Sequence, residues 1–313
     1  MQIVVTGSIA YDYLMSFPGS FSEHLLPGHL DRVSLSFLVD SMDKRRGGCA
    51  PNIAYTLALL GERPRLMGTA GQDFDDYRAW LEAAGIDTSL VRQVEGKFTA
   101  SFFCSTDKDG NQIASFYTGA MAHAGELSFR GAGGCDLAII SPNDPGAMVQ
   151  YAAECRTLGI PYLFDPSQQV ARLNGEELRE GVTGAEILIC NDYEFAIIAE
   201  KTGMGEAEML EHARALVVTK GERGSTVVLP DGRIDIPAVP PRQIVDPTGV
   251  GDAFRGGFMK GLATGAGYED CGRLGSVAAA FVLEHLGGST HAYTLEEFLE
   301  RYLATFGSLP PTA

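Results

Sequence analysis

Four short, wholly apolar runs recur from residue 137 onward, LAII at 137–140, YLF at 162–164, ILI at 187–189 and LVV at 216–218, with helical stretches between them. A strand without polar residues is buried on both faces, and only a sheet covered by helices on both sides buries it so. The connecting stretches are long enough for parallel crossovers. A chain patterned in this way is confined to an α/β fold with a mostly parallel sheet. Each run ends in polar residues: Ser141, Asn143 and Asp144; Asp165, Ser167, Gln168 and Gln169; Asn191, Asp192 and Glu194; Thr219, Lys220 and Gly221. Open α/β sheets hold ligands beyond the carboxyl ends of their strands, so four polar ends in succession predict one binding edge.

Composition narrows what could bind there. With 313 residues, 45% of them hydrophobic, the chain can bury a sizeable core as one large α/β domain, residues 1–313. A net charge of −16 argues against nucleic acid or an anionic membrane surface as partner, because both need a basic footprint. Any phosphate site must be local. Cys49, Cys104, Cys135, Cys155, Cys190 and Cys271 contain no C-x-x-C pair and read as reduced core thiols of a cytoplasmic protein. The start, MQIVVTGSIAYDYLM, lacks a basic region and reads as a strand ending near Thr6, and no apolar stretch reaches the roughly 20 residues that span a bilayer.

The most informative segment is DPTGVGD, 246–252, followed by AFRGGFMKGLA. Gly249 and Gly251 precede apolar residues at helical spacing, Phe254, Phe258 and Leu262. A glycine turn feeding a helix N-terminus offers unpaired N–H groups and the positive end of the helix dipole to an anion. Asp252 in that first turn reads either as a cap or as a general base that takes the proton of an attacking hydroxyl in phosphoryl transfer. RRGGCAPN places Gly47 and Gly48 before a second helix start, with Asn52 in its first turn; the pair serves either a flexible joint or close approach to a ligand. Asp12 follows the first strand, as turn residue or ligand contact. The alternation between Leu30 and Asp43 predicts an extended strand.

KFTASFFCSTDKDGNQIASFYTGAM reads as a hairpin about Lys108–Asp109–Gly110. In that register Thr106 faces Gln112, Cys104 faces Ala114 and Phe102 faces Phe116. The two phenylalanines either sandwich a flat ligand such as a purine or pack their sheet on the body. In NDYE, Asn191 and Glu194 share one helical face; the pair either caps the helix or, through Glu194, serves Mg²⁺. TKGERGS, 219–225, is a glycine loop able to hold nucleotide phosphates, before a hairpin with a PDG tip. There is no zinc spacing, G-x-S-x-G elbow or Walker-type GK[ST].

RRGGCAPN, NDYE and DPTGVGDAFRGGF, in this order, resemble the signature motifs of the ribokinase (PfkB) family of carbohydrate and nucleoside kinases. Pro247 and Val250 depart from its commonest pattern without removing a glycine amide or the Asp. VTGSIAYDYLM, QIASFYTGAM, DPSQQVARL and NDYEF are further similar to the family's mycobacterial-type adenosine kinase branch. The resemblance implies a ribokinase-like three-layer α/β/α domain with a small β-sheet lid from about 10–48 and 97–120. It implies adenosine as acceptor, ATP as donor and Mg²⁺, with K⁺ as a further ion. Asp12 would bind ribose hydroxyls with Asn52 and the Gly48 backbone, Phe102 and Phe116 would hold the purine, and Ser8, Ser36 and Gln169 would make polar contacts. Arg172 would reach the transferring phosphate beside Gly249, Val250, Gly251 and Asp252. Asn191 and Glu194 would organise Mg²⁺ and phosphate, and Thr219, Lys220, Gly221 and Gly224 would meet the nucleotide. Unpaired strand edges on the lid would favour a homodimer.

Overall fold

The computed structural model describes residues 1–25, 32 and 34–310. Among these, seven parallel strands, β1 (Ile3–Thr6), β4 (Arg65–Ala70), β5 (Val91–Gln93), β8 (Leu137–Ile140), β9 (Tyr162–Phe164), β10 (Ile187–Asn191) and β11 (Ala215–Thr219), form the body of a sheet. β12 (Ser225–Leu229) and β13 (Gly232–Ile236) extend it as an antiparallel edge, giving the order β13-β12-β11-β10-β9-β8-β1-β4-β5.

The two-residue period of the strands divides the core into two layers. Ile3, Val5, Leu137, Ile139, Ile187 and Ile189 face α1 (Cys49–Leu59), α2 (Asp75–Ala83) and α7 (Val250–Ala263), through Ile53, Leu57, Tyr77, Leu81, Phe254 and Phe258. Val4, Ala138, Ile140, Leu188 and Cys190 face α3 (Pro145–Leu158), α4 (Gly175–Val182), α5 (Asp192–Thr202) and α6 (Glu206–His212). α8 (Tyr268–Leu283) packs along α7, and α9 (Leu295–Phe306) closes that side through Phe298 and Tyr302. The expected three layers follow from wholly apolar strands. No helix among the described residues is long and apolar enough to cross a membrane.

Strand order reverses at β1, which has β8 on one side and β4 on the other. Such a switch point opens a crevice at the carboxyl ends, and Gly7, Ser8 and Ser141 lie there, joined by Ser8 N–H donating to the Pro142 carbonyl at 2.7 Å. Two of the polar strand ends also start the next helix. Asp144 caps α3 by accepting from the Ala147 N–H at 3.1 Å, and Asn191 caps α5.

A second sheet stands over this edge, in the order β3-β2-β6-β7, from β2 (Ala10–Ser16), β3 (Ser41–Gly47), β6 (Ala100–Thr106) and β7 (Gln112–Tyr117). The hairpin register agrees with expectation, with Phe102 opposite Phe116, Cys104 opposite Ala114 and Thr106 opposite Gln112. The strand expected between Leu30 and Asp43 is a different case. Residues 34–39 have no regular structure, 30, 31 and 33 lie outside the described residues, and the strand instead begins at Ser41. The free edge of β2 has room for seven partners, Ser41 to Gly47, and these occupy it from Ser16 to Ala10. The preceding apolar residues are used otherwise: Phe37 packs edge-on against Phe17 and Phe21.

Candidate active site

The first turns of α1 and α7 meet at the carboxyl edge of the main sheet. Asn52 donates from Nδ2 to Asp252 Oδ2 at 2.9 Å, joining residues 200 positions apart. Asn52 is buried, and its Oδ1 has no partner among the described residues. A buried amide oxygen without a donor is costly unless a ligand supplies one. The hydroxyl of an acceptor would do so.

Gly249 caps α7 in the left-handed region, φ 78°, and a Cβ there would fall 2.4 Å from Gly288 Cα. Both constraints select glycine. The turn directs N–H groups outward, and those of Gly249, Gly251 and Asp252 have no acceptor among the described residues. The Val250 N–H does not join them. It donates to the Pro247 carbonyl at 3.3 Å, because the tight turn folds that amide back, so the expected anion site loses one of its named members.

Burial pushes the Asp252 carboxyl up to about 7, against the Asn52 hydrogen bond and the Arg255 charge, which favour the ionised form. Arg255 went unnoticed in the sequence. Its Nη1 donates to the Gly251 carbonyl at 3.0 Å and its Nη2 to Asp165 Oδ1 at 2.5 Å, while Nε faces the other Asp165 oxygen. Both partners are buried, and burial drives Asp165 up to about 6 against the pull of Arg255. This ion pair fixes the first turn of α7 to the end of β9. A usable signal was present: an arginine within the apolar helix AFRGGF requires a buried acid, and Asp165 ends a strand.

The second sheet presents a row of side chains from its four strands toward this point: Arg45, Asp12, Phe102 and Phe116 lie directly opposite one another in successive pairings. Gly47 lets Asp12 approach, since a Cβ there would lie 2.4 Å from Asp12 Oδ2. Burial raises the Asp12 carboxyl to about 6, with Arg45 lowering and Asp246 raising it. Phe102 is half-buried and Phe116 is 48% exposed, and no ring contact joins them among the described residues. Their faces are thus open to a ligand. On the opposite face of the sheet, Phe103 stacks on Tyr13 at 4.8 Å.

The remaining expected residues divide by environment. Gly48 caps α1, and Ser8 accepts from the Cys49 N–H through Oγ at 3.2 Å. Ser36 is exposed and lies outside the sheet. Gln169 is buried in the 3₁₀ turn Ser167–Ala171 with its Oε1 unpartnered, whereas Arg172, just after the turn, is exposed. Lys201 holds this turn by donating from Nζ to the carbonyls of Val170, Ala171 and Leu173. Ser167 in it has φ 39°, a local strain of the kind concentrated at functional sites. Asn191 and Glu194 form a reciprocal cap, Oδ1 accepting from the Glu194 N–H at 2.7 Å and Oε2 from the Asn191 N–H at 2.8 Å. Glu194 is buried, so it is not the solvated partner of a simple cap. Thr219 ends β11, and the Lys220 N–H closes the loop onto the Gly224 carbonyl at 2.8 Å around Gly221. The Lys220 ammonium points along the hairpin instead, donating to Thr226 Oγ1 at 2.6 Å.

Comparison with known proteins shows the family and the fold. The family model described as pfkB family carbohydrate kinase matches residues 3–294. A nucleoside kinase of Methanothermobacter thermautotrophicus is 32% identical, covering 99% of this chain and 98% of its own length. A cytidine kinase of Thermococcus kodakarensis is 31% identical over 83% of this chain and 95% of its own. The Burkholderia thailandensis nucleoside kinase in complex with inosine superposes with a TM-score of 0.88 at 39% identity, over 98% of this chain and 99% of that one. The same enzyme is also known in complex with ADP and inosine.

The buried ion pair makes a testable claim. Arg255→Met leaves Asp165 without a partner and should lower the unfolding free energy by about 3–5 kcal/mol in urea titrations. Adding Asp165→Leu should return most of that loss. A double variant no more stable than the single one would show that the pair is not the source.

Proposed function

The chain belongs to the pfkB family of carbohydrate kinases, phosphotransferases that act on hydroxyl groups, and from that premise we propose that it moves the γ-phosphoryl group of ATP to the 5′-hydroxyl of a nucleoside. The observation that carries this reading is Asp252, poised beside open amides in the first turn of α7 and hydrogen-bonded to Asn52. The nucleoside lies beneath the second sheet, ribose hydroxyls on Asp12 and base between Phe102 and Phe116. Asp252 accepts the proton of the 5′-hydroxyl as the new O–P bond forms and the bond to the β-phosphate oxygen breaks, releasing ADP. The Gly249 and Gly251 amides stabilise charge on the group in transit.

Mg²⁺ supplies charge neutralisation when it enters with the nucleotide. Glu194 suits it through water, because one carboxylate oxygen serves the cap and no described residue bonds the other. Among the described residues no group of three acidic, His or Cys side chains could hold a metal ion by itself. Adenosine is the proposed acceptor, since two open phenyl faces favour a flat purine over a small sugar ring. Inosine, bound by the Burkholderia thailandensis kinase, and cytidine, named for the Thermococcus kodakarensis relative, are the alternative acceptors. The rival assignments are a ribose or fructose kinase, which would gain little from Phe102 and Phe116, and a regulator without turnover, which would have no need of Asp252. The free cysteines suit a cytoplasmic enzyme. The outer face of the second sheet exposes Met42, Phe103, Ile113 and Tyr117, an apolar surface suited to a homodimer.

Measurements on an Asp252 variant, on a panel of acceptors and on assembly test this reading. Asp252→Asn should lower kcat by about 10²–10⁴ with adenosine affinity nearly unchanged, and the wild-type rate should rise with pH as a group near 7 loses its proton. Since folding raises this pKa, Asp252 favours the folded state at acid pH and loses that contribution as pH passes about 7, so the Asn variant should gain most in Tm at pH 8. Turnover of the variant within a few-fold of wild type would remove Asp252 from the role of base. In a coupled ADP assay, adenosine should exceed inosine, cytidine, ribose and fructose in kcat/KM; preference for a free sugar reverses the acceptor assignment. Light scattering should report a dimer for the wild type and a monomer for Ile113→Lys, and a wild-type monomer excludes the interface.

A further inference from the structure

The row of side chains on the inner face of the second sheet continues past Asp12 into the main domain. Arg45 stands opposite Asp12, its Nη2 3.3 Å from Asp43 Oδ2 and its Nη1 3.8 Å from Asp246 Oδ2. Asp246 opens DPTGVGD, and its carboxylate is a junction. Oδ1 accepts from the Thr248 N–H at 2.9 Å, and Oδ2 accepts from the Gly287 N–H at 2.9 Å. These bonds tie the turn leading into Gly249 to the Gly287–Gly288 loop, and Gly288 is the backbone on which Gly249 rests. The stem of Arg45 reaches the same loop, with its Cδ 3.8 Å from where a Gly287 Cβ would lie. A single side chain of the second sheet thus reaches both the carboxylate and the loop that support the phosphate-binding turn.

The charges give this contact a purpose. Asp12 belongs to the second sheet and Asp246 to the main domain, and the Asp246 charge disfavours ionisation of Asp12, while Thr248, Gly287 and Arg45 hold Asp246 itself low. Arg45 stands opposite Asp12 on the neighbouring strand and beside Asp246, and its charge offsets their repulsion. Asp43, two residues before Arg45 on the same face of β3, shares the guanidinium and is exposed.

We propose that Arg45 is a positioning residue that couples acceptor binding on the second sheet to the arrangement of the phosphate-binding turn, through Asp246 and the Gly287–Gly288 loop. The proposal rests on the nucleoside kinase reading above. A nucleoside held at Asp12 fixes β3 against the main domain, and the Arg45–Asp246 contact conveys that position to the amides of Gly249 and Gly251. Coupling of this kind is reciprocal, so bound adenosine should tighten ADP and bound ADP should tighten adenosine by one common factor.

Calorimetric titration of ADP into the full chain, with and without saturating adenosine, measures that factor. The wild type should bind ADP more tightly in the presence of adenosine. In Arg45→Met the coupling factor and kcat should both fall, by roughly 2- to 30-fold, while the adenosine KM changes less, and Arg45→Lys should restore part of both. An Arg45→Met protein with wild-type kcat and coupling overturns the proposal, as does a wild type in which adenosine leaves ADP affinity unchanged. A measurement on the wild type alone covers the case of a poorly folding variant. Raising NaCl from about 0.05 to about 0.5 M should weaken the coupling, because this ion pair is partly open to solvent, and a factor indifferent to salt argues equally against it. Wild-type protein without turnover on any nucleoside would defeat the functional reading itself, whereas active wild type with intact coupling in Arg45→Met would defeat only this inference.

Discussion

The hydrogen bond from Asn52 to Asp252 is the contact on which the site depends. It requires the N-termini of α1 and α7 to converge at one point, where α7 supplies the open amides, since the Cys49 and Ala50 N–H groups of α1 donate to Ser8. It also holds a carboxylate that is only partly exposed to water. Desolvation there works against the ionised state while Asn52 and Arg255 support it, and the balance leaves the group able to exchange a proton near neutral pH. A structure selected only for stability would not bury an acid in this way.

Around that contact the protein separates two tasks. The main sheet supplies rigidity: the Asp165–Arg255 pair fastens the first turn of α7 to β9, and Lys201 secures the turn that carries Gln169 by satisfying three carbonyls. The second sheet carries one row of residues, an acid followed by two open aromatic rings, which the proposed function uses for recognition. In a chain with a charge of −16, the positive potential that a phosphate needs comes from amides and a few placed cations instead of from the surface at large.

Much of this was readable before any coordinates. The apolar runs marked the strands because burial on both faces leaves no place for a polar residue, and the hairpin register followed from its turn, which sets cross-strand partners locally. Other features were readable only as alternatives. Asn191 and Glu194 do cap α5, as one reading of NDYE had it, yet Glu194 is buried, because α5 starts where the carboxyl edge is already covered. Alternation between Leu30 and Asp43 misled, since a two-residue period states that a segment could pair but not that a free strand edge awaits it. Val250 could not be separated from its glycine neighbours either, because the direction of its amide depends on how tightly the Pro247 turn closes.

What the sequence determined by itself was local: the α/β class, the apolar strands of the main sheet, the hairpin pairing and the two glycine turns that begin α1 and α7. These follow from side-chain period, turn chemistry and helix-end preferences, all of which act within a few residues. Only the tertiary structure decided that Asn52 meets Asp252, that Arg255 finds Asp165 and that Arg45 reaches Asp246. Each of those pairs joins distant segments, and their geometry is set by how helices pack on a twisted sheet, which no short stretch of chain encodes.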